Sequence, residues 1–239
     1  MQRFVMFAMP RTGSSWLRTI LDSHPDITCY AALFRNRPWK KNEFNRLLEA
    51  PDPRFYEVDY RMANFEAALE AVFGSTPPIQ HVGLKHMSGA QPKIRNYLAS
   101  NPQFRKVVLR RDNLLAVYAS NLLAKATGQG SVRRDVEMKI SPIRFDRKEF
   151  AAFSKRYERA YEDVRAVCAG ELIEIEYNAL RQGDDMRRLG EFFEVDTEQM
   201  TFDTTRKRGN DSIVDRFENP EDALSYLKDF DREQWAVER

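Results

Sequence analysis

The sequence predicts an α/β fold, a central and mostly parallel sheet covered by helices on both faces. Three observations predict it. Apolar strand-like runs alternate with helix-periodic segments along the whole chain, the pattern of a three-layer parallel sheet. The first run, Phe4 to Met9, passes through a small polar turn into a helical pattern at Trp16, Leu17, Ile20 and Leu21. Hydrophobic residues make up 42% of the 239 residues, enough for a real core, and charged residues 31%.

The elements follow in order. The first helix ends near His24-Pro25-Asp26, because proline disfavours helix in the residue before it. Ile27 to Phe34 is a short apolar stretch, a strand or a buried loop. Residues 35–60 mix cations, aromatics and prolines. They read either as a solvated surface insertion or as a substrate-facing lid, since aromatic and cationic side chains suit sugars and anions. Met62, Phe65, Leu69, Val72 and Phe73 recur at helical spacing before Gly74. His81 to Met87 reads as a core strand. Pro92 opens a helix that ends near Asn101-Pro102.

Lys106 to Leu109 (KVVL) is a further strand, which runs into Arg110-Arg111-Asp112-Asn113 and a helix ended by Gly128 and Gly130. Residues 129–148 are irregular and basic. The stripe Phe150, Phe153, Tyr157, Tyr161, Val164 and Val167 reads as core packing of a long helix. Glu171 to Tyr177 alternates apolar and acidic residues, which places it near the sheet edge. A short helix over Met186 to Phe193, a basic turn at Arg206–Asn210 and a helix from Pro220 complete the chain. One domain over 1–239 is expected, with variable segments at about 35–60 and 128–146.

Composition excludes several classes. The net charge of +2 comes from 38 basic and 36 acidic residues, a balance that argues against a nucleic-acid partner. Cys29 and Cys168 offer no disulfide framework and no metal spacing. The three histidines lack HxxH spacing, so no metal is expected. No run of about 18 apolar residues exists to span a membrane. No charged-then-apolar leader precedes the first strand, so a cytoplasmic chain is the expectation.

The chemistry concentrates in the first turn, Arg11-Thr12-Gly13-Ser14-Ser15-Trp16. A strand, a tight turn and a helix N-terminus make an anion site, because the first helical N–H groups lack internal partners and the dipole favours negative charge. Gly13 lets backbone approach a ligand, and Arg11 adds a fork of donors suited to phosphate or sulfate. An ordinarily capped helix is the plain alternative. The ATP-binding pattern GxxxxGK[ST] fits poorly. The turn has one glycine and no Lys before Ser14-Ser15, and no apolar run ends in Asp.

PRTGSSWL resembles the 5′-phosphosulfate loop of sulfotransferases that use 3′-phosphoadenosine 5′-phosphosulfate (PAPS). KVVLRRDNLLAVYAS resembles their second signature, a strand end with Arg followed by a helix bearing Ser, which together hold the 3′-phosphate. IEIEYNAL resembles the late strand whose tyrosine lies near the adenine, and TTRKRGNDSIVDRFENPEDAL the basic loop and helix of bacterial carbohydrate-type members. Bacterial groups acting on lipopolysaccharide, glycolipid or Nod-factor sugars look closest.

The resemblance implies the P-loop-like sulfotransferase fold and sulfuryl transfer from PAPS to a carbohydrate or glycolipid-type hydroxyl. It also implies release of PAP (3′-phosphoadenosine 5′-phosphate) and no metal. A lipid-linked acceptor would add peripheral membrane contact. Residues 11–16 would hold the 5′-phosphosulfate, with Arg11 stabilising charge on the bridging oxygen. Arg111 and Ser120 would hold the 3′-phosphate with Lys207 and Arg208, and Tyr177 would lie near the adenine.

Two departures stand out. The interval from Arg111 to Ser120 is longer by one than in many members, whose serine falls at Ala119. Ala32 occupies the place where bacterial relatives carry a carboxylate, the natural base for the acceptor hydroxyl. His86 is the substitute base expected here, ahead of His24 and His81, with Lys85 a second charge stabiliser or a plain strand-end cation. Arg111 is favoured over Arg110 as the phosphate contact. Arg111→Ala is expected to keep the fold and weaken PAP binding by about 1.5–3 kcal/mol. Two alternatives stay open: a PAP- or PAPS-binding homologue without activity, motivated by Ala32, and a P-loop kinase.

Overall fold

The computed structural model describes residues 1–40, 44, 47–129, 141–201 and 212–238. Five strands, β1 (Gln2–Ala8), β2 (Ile27–Tyr30), β3 (His81–Met87), β4 (Phe104–Arg110) and β5 (Leu172–Glu176), form one sheet in the order β2-β3-β1-β4-β5. Every pairing is parallel. The helices are α1 (Ser14–Leu21), α2 (Val58–Ala63), α3 (Phe65–Gly74), α4 (Pro92–Ser100), α5 (Leu114–Thr127), α6 (Arg147–Val167), α7 (Tyr177–Gln182), α8 (Asp184–Phe193) and α9 (Pro220–Asp229).

The strand sequences explain the layering. β1 is apolar on both sides, and Phe4 through Ala8 are wholly buried, as a central parallel strand requires. Its odd residues Val5 and Phe7 join Val82, Leu84 and Val108 beneath α3, α4, α5 and α6. Its even residues Phe4, Met6 and Ala8 join Val107, Leu109 and Ile175 beneath α1, α7 and α8. β5 alternates buried and partly exposed residues and lies at the edge, as its sequence pattern predicts.

Residues 35–60 depart from a solvated insertion. Phe34, Trp39, Phe44 and Phe55 are buried in the main core cluster. Arg61 of α2 is wholly buried and pins the segment. It donates to the carbonyl oxygens of Arg35 (2.9 Å), Arg37 (2.8 Å) and Phe55 (2.8 Å), with its guanidinium 4.8 Å from the Trp39 ring centroid. Carbonyl partners make a buried guanidinium tolerable.

Two tyrosines read as apolar packing carry a polar duty as well. The Tyr161 hydroxyl accepts from Met9 N–H (3.0 Å) and donates to the Leu109 carbonyl (2.6 Å), tying the ends of β1 and β4 together. The Tyr157 hydroxyl accepts from Arg111 N–H (2.9 Å) and donates to the Arg111 carbonyl (3.1 Å). Burial pushes both phenols up, Tyr157 to about 12.

Candidate functional site

β1 and β4 are neighbours, with Ala8 opposite Leu109. Their following loops therefore emerge side by side at the carboxyl edge of the sheet, where open α/β folds bind ligands. The first loop is shaped by its own residues. Thr12 is wholly buried, and its hydroxyl donates to the Met9 carbonyl (2.8 Å), closing the turn. Arg11 and Gly13 take left-handed backbone, φ 70° and 86°. At Gly13 a Cβ would stand 2.5 Å from the Tyr177 ring, so this position needs glycine both for φ and for space. The first helical bond is Leu17 N–H to the Gly13 carbonyl (3.0 Å), and the opening turn of α1 holds no acidic residue. Such a helix start favours an anion.

Three positions expected at the site come together. Arg11 Nε donates to Ser120 Oγ (2.9 Å), and Arg111 Nη1 donates to the Arg11 carbonyl (2.9 Å). Ala119 is buried and has no polar group to offer, whereas the next residue of α5 faces Arg11. Tyr177 is wedged between the two loops: against Gly13, edge-on to Trp16 at 5.9 Å, and with the Arg111 guanidinium 4.5 Å from its ring centroid.

The two adjacent arginines separate. Arg110 pairs with Glu158 of α6 at 2.9 Å and lies over the Tyr161 ring. Arg111 turns inward, where Nε meets Glu238 Oε1 at 2.7 Å and Nη2 meets Oε2 of the same carboxylate. Glu238 is 1% exposed.

Lys85 and His86 also separate. Neighbours on a strand point to opposite faces. Lys85 faces the α1 layer, where its Nζ donates to Ser15 Oγ at 3.1 Å. Burial, with Arg35, Arg18 and Arg11 nearby, pulls its ammonium down to about 8, against a smaller opposing effect of the Cys29 thiol. His86 lies on the other face, edge-on to Phe7, with Nε2 3.2 Å from the Ala90 carbonyl. It is buried, and desolvation pulls it down to about 4. This placement sets His86, the base expected from the sequence, among packed side chains on the face of the sheet opposite Lys85.

The other histidines fare no better. His24 Nδ1 accepts from Asp26 N–H (3.1 Å), and His81 sits opposite Gln2 at the far end of the sheet. Ala32 follows β2 at the site edge. Lys207 and Arg208 lie outside the described residues.

Glu238 and Arg18 were not expected at the site, and Arg35 was expected only as part of a substrate-facing lid. Nothing local in the sequence marks Glu238, which lies 127 residues from Arg111. Tyr157 and Tyr161 did leave a signal, because buried phenol hydroxyls need partners.

The assembled donor set is Arg11, Arg111 and Lys85 with the hydroxyls of Ser15 and Ser120 beside an open helix start. Guanidiniums, an ammonium and hydroxyls in one place bind anions and neutralise charge that develops on them. Glu176, at the end of β5, is spent on structure, accepting from Asn178 N–H (2.6 Å) and Ala179 N–H (2.9 Å) to cap α7. Burial pushes the Cys29 thiol up to about 12, so it stays inert. Among the described residues no group of three or more His, Cys, Asp or Glu is placed to hold a metal, and no helix is long and apolar enough to cross a membrane.

Solved structures share this architecture. The chain is similar to a sulfotransferase from Alicyclobacillus acidocaldarius, at 15% identity over 98% of this chain and 94% of that one, TM-score 0.50. It is similar also to sulfotransferase STF9 from Mycobacterium avium, at 13% identity over 96% of this chain and 76% of that one, TM-score 0.50. At these identities the likeness is one of fold. No curated protein matches. A model of the sulfotransferase family matches residues 4–199, nearly the whole span from β1 past α8, and the chain belongs to that family.

Proposed function

We propose that this sulfotransferase moves a sulfuryl group from PAPS to a hydroxyl of a carbohydrate or glycolipid-type acceptor by in-line displacement without a metal, as a single-domain cytoplasmic enzyme. One observation carries the reading: the Arg11–Trp16 loop and the Arg111–Ser120 pair, separate in sequence, meet through the Arg11–Ser120 and Arg111–Arg11 hydrogen bonds. A donor with an anhydride at one end and a phosphate at the other needs two adjoining anion sites. These residues supply both, and each group present is a donor type that fits such a ligand.

Sulfuryl transfer asks the protein mainly for alignment and for neutralisation of charge on the leaving oxygen. In this reading the loop amides and Ser15 hold the 5′ end, and Arg11 neutralises the oxygen that gains charge. Lys85 reaches the same place from β3 through Ser15. Arg111 and Ser120 bind the 3′-phosphate, and Tyr177 gives the adenine a face. Arg35, whose carbonyl is held by Arg61, adds a cation near Lys85. His86 has no part in this scheme.

Transfer of labelled sulfate from PAPS to sugars, glycolipids and phenols, in the presence of a chelator, tests the reading. Labelled saccharide is the expected result. Tight PAP binding with no acceptor labelled would instead mark a donor-binding protein without activity. A pH series adds a second check. Burial pulls the Lys85 ammonium down to about 8, so its charge is present below that pH and lost above it. We expect kcat/KM to fall as pH rises through 8, and the fall to vanish in Lys85→Met.

A further inference from the structure

Arg111 already holds an anion. Its Nε and Nη2 grip both oxygens of Glu238, a side-on fork of the kind that binds phosphate. Glu238 is buried, and its segment crosses from α9 over the start of α5. The following argument rests on the donor reading above. We propose that Glu238 occupies the 3′-phosphate subsite until donor binds, and that it sets donor specificity by yielding Arg111 only to a ligand that carries a 3′-phosphate.

The electrostatics require an exchange. Arg11 and Arg111 meet at one edge of the sheet, and Lys85 reaches the neighbouring Ser15 from β3. An internal carboxylate offsets this charge while the site is empty, and leaving Arg111 buried without it is costly. A phosphate on the same fork would face that carboxylate at a few ångströms in a desolvated place, where like charges repel strongly. The two anions therefore alternate on Arg111.

The segment that carries Glu238 has little regular structure. It contains one turn of 3-10 helix, Glu233–Ala236, and no longer element. Asn113 Nδ2 donates to the carbonyls of Trp235 (3.1 Å) and Val237 (3.2 Å), and Ile213 N–H donates to the Ala236 carbonyl (2.7 Å). Asn113 lies two residues beyond Arg111 and also caps α5, accepting from Ala116 N–H (3.0 Å). The strap and the phosphate fork thus share one anchor. Val237 is 43% exposed, whereas Trp235 and Ala236 pack against the core, so the exchange needs only the last residues of the strap to swing outward.

Calorimetric titration with PAP and with adenosine 5′-phosphate, which lacks the 3′ group, tests the exchange in wild type and Glu238→Gln. Glutamine keeps the shape and removes the charge. The expected result is PAP binding about tenfold tighter in the variant, with adenosine 5′-phosphate within about twofold of wild type. PAP affinity unchanged or weakened, or both ligands shifted alike, overturns the proposal and makes Glu238 a support for Arg111. Amide exchange on the wild-type protein decides the matter even if the variant does not fold. PAP should speed exchange at residues 235–238 and adenosine 5′-phosphate should not, whereas slowed or unaltered exchange with PAP refutes the displacement. Failure of wild type to bind PAP at all would overturn the donor reading together with this one.

Discussion

Arg11→Ala is expected to lower kcat by about 10²–10³-fold, the usual loss when one charge-stabilising donor is taken from a preorganised site. Arg11 takes its position from the turn. Met9 is tied to Tyr161, Thr12 to Met9, and the arginine's own carbonyl to Arg111, so its side chain leaves a backbone fixed on three sides. The left-handed φ of 70° is a cost that the wild type already carries, so the substitution should leave the unfolding midpoint nearly unchanged. Arg11→Lys keeps a charge but loses the planar fork that meets Ser120, and should retain part of the rate. Single-turnover measurement with labelled donor separates this effect from product release. An undiminished rate in Arg11→Ala would remove Arg11 from the chemistry.

Arg111→Ala carries the largest expected effect on stability. Read from the sequence, the substitution costs affinity alone. The structure changes that expectation, because Glu238 is wholly buried against the guanidinium. Removing Arg111 strands a carboxylate in the core and should lower the free energy of unfolding by about 3–5 kcal/mol. The double variant Arg111→Ala/Glu238→Ala removes the stranded charge and should recover at least half of the loss. Arg110→Ala, next in sequence, should cost no more than about 1 kcal/mol, since its Glu158 partner is partly exposed and solvent screens the pair. Urea denaturation of the four proteins tests the contrast.

Much of the fold was legible because it rests on local pattern. The burial of β1 on both faces, the edge position of β5 and the stop of α5 at Gly128 all follow from residues within a few positions of one another. The loop was legible for the same reason, since its turn, glycine and helix start are contiguous. The meeting of Arg11 with Arg111 and Ser120 was legible only through the paired motifs, for no local rule says that β1 and β4 are neighbours. The face that His86 takes was legible too. Strand alternation alone puts Lys85 and His86 on opposite faces, and the loop can have only one of them. Arg61 stayed hidden because a cation in a helix reads as a surface residue. Its carbonyl partners come from a segment whose path the sequence does not disclose. Glu238 was beyond reach, as its partner is set by the crossing of the last described segment over α5.

The central claim is that the two loops form one donor site. Crystallographic density for PAP bound to the wild-type chain tests it most directly. The account predicts the 5′-phosphate against the loop amides of residues 13–16 and Arg11. It predicts the 3′-phosphate on Arg111 and Ser120, with Glu238 displaced. PAP bound away from these loops, or with neither phosphate touching them, would contradict it.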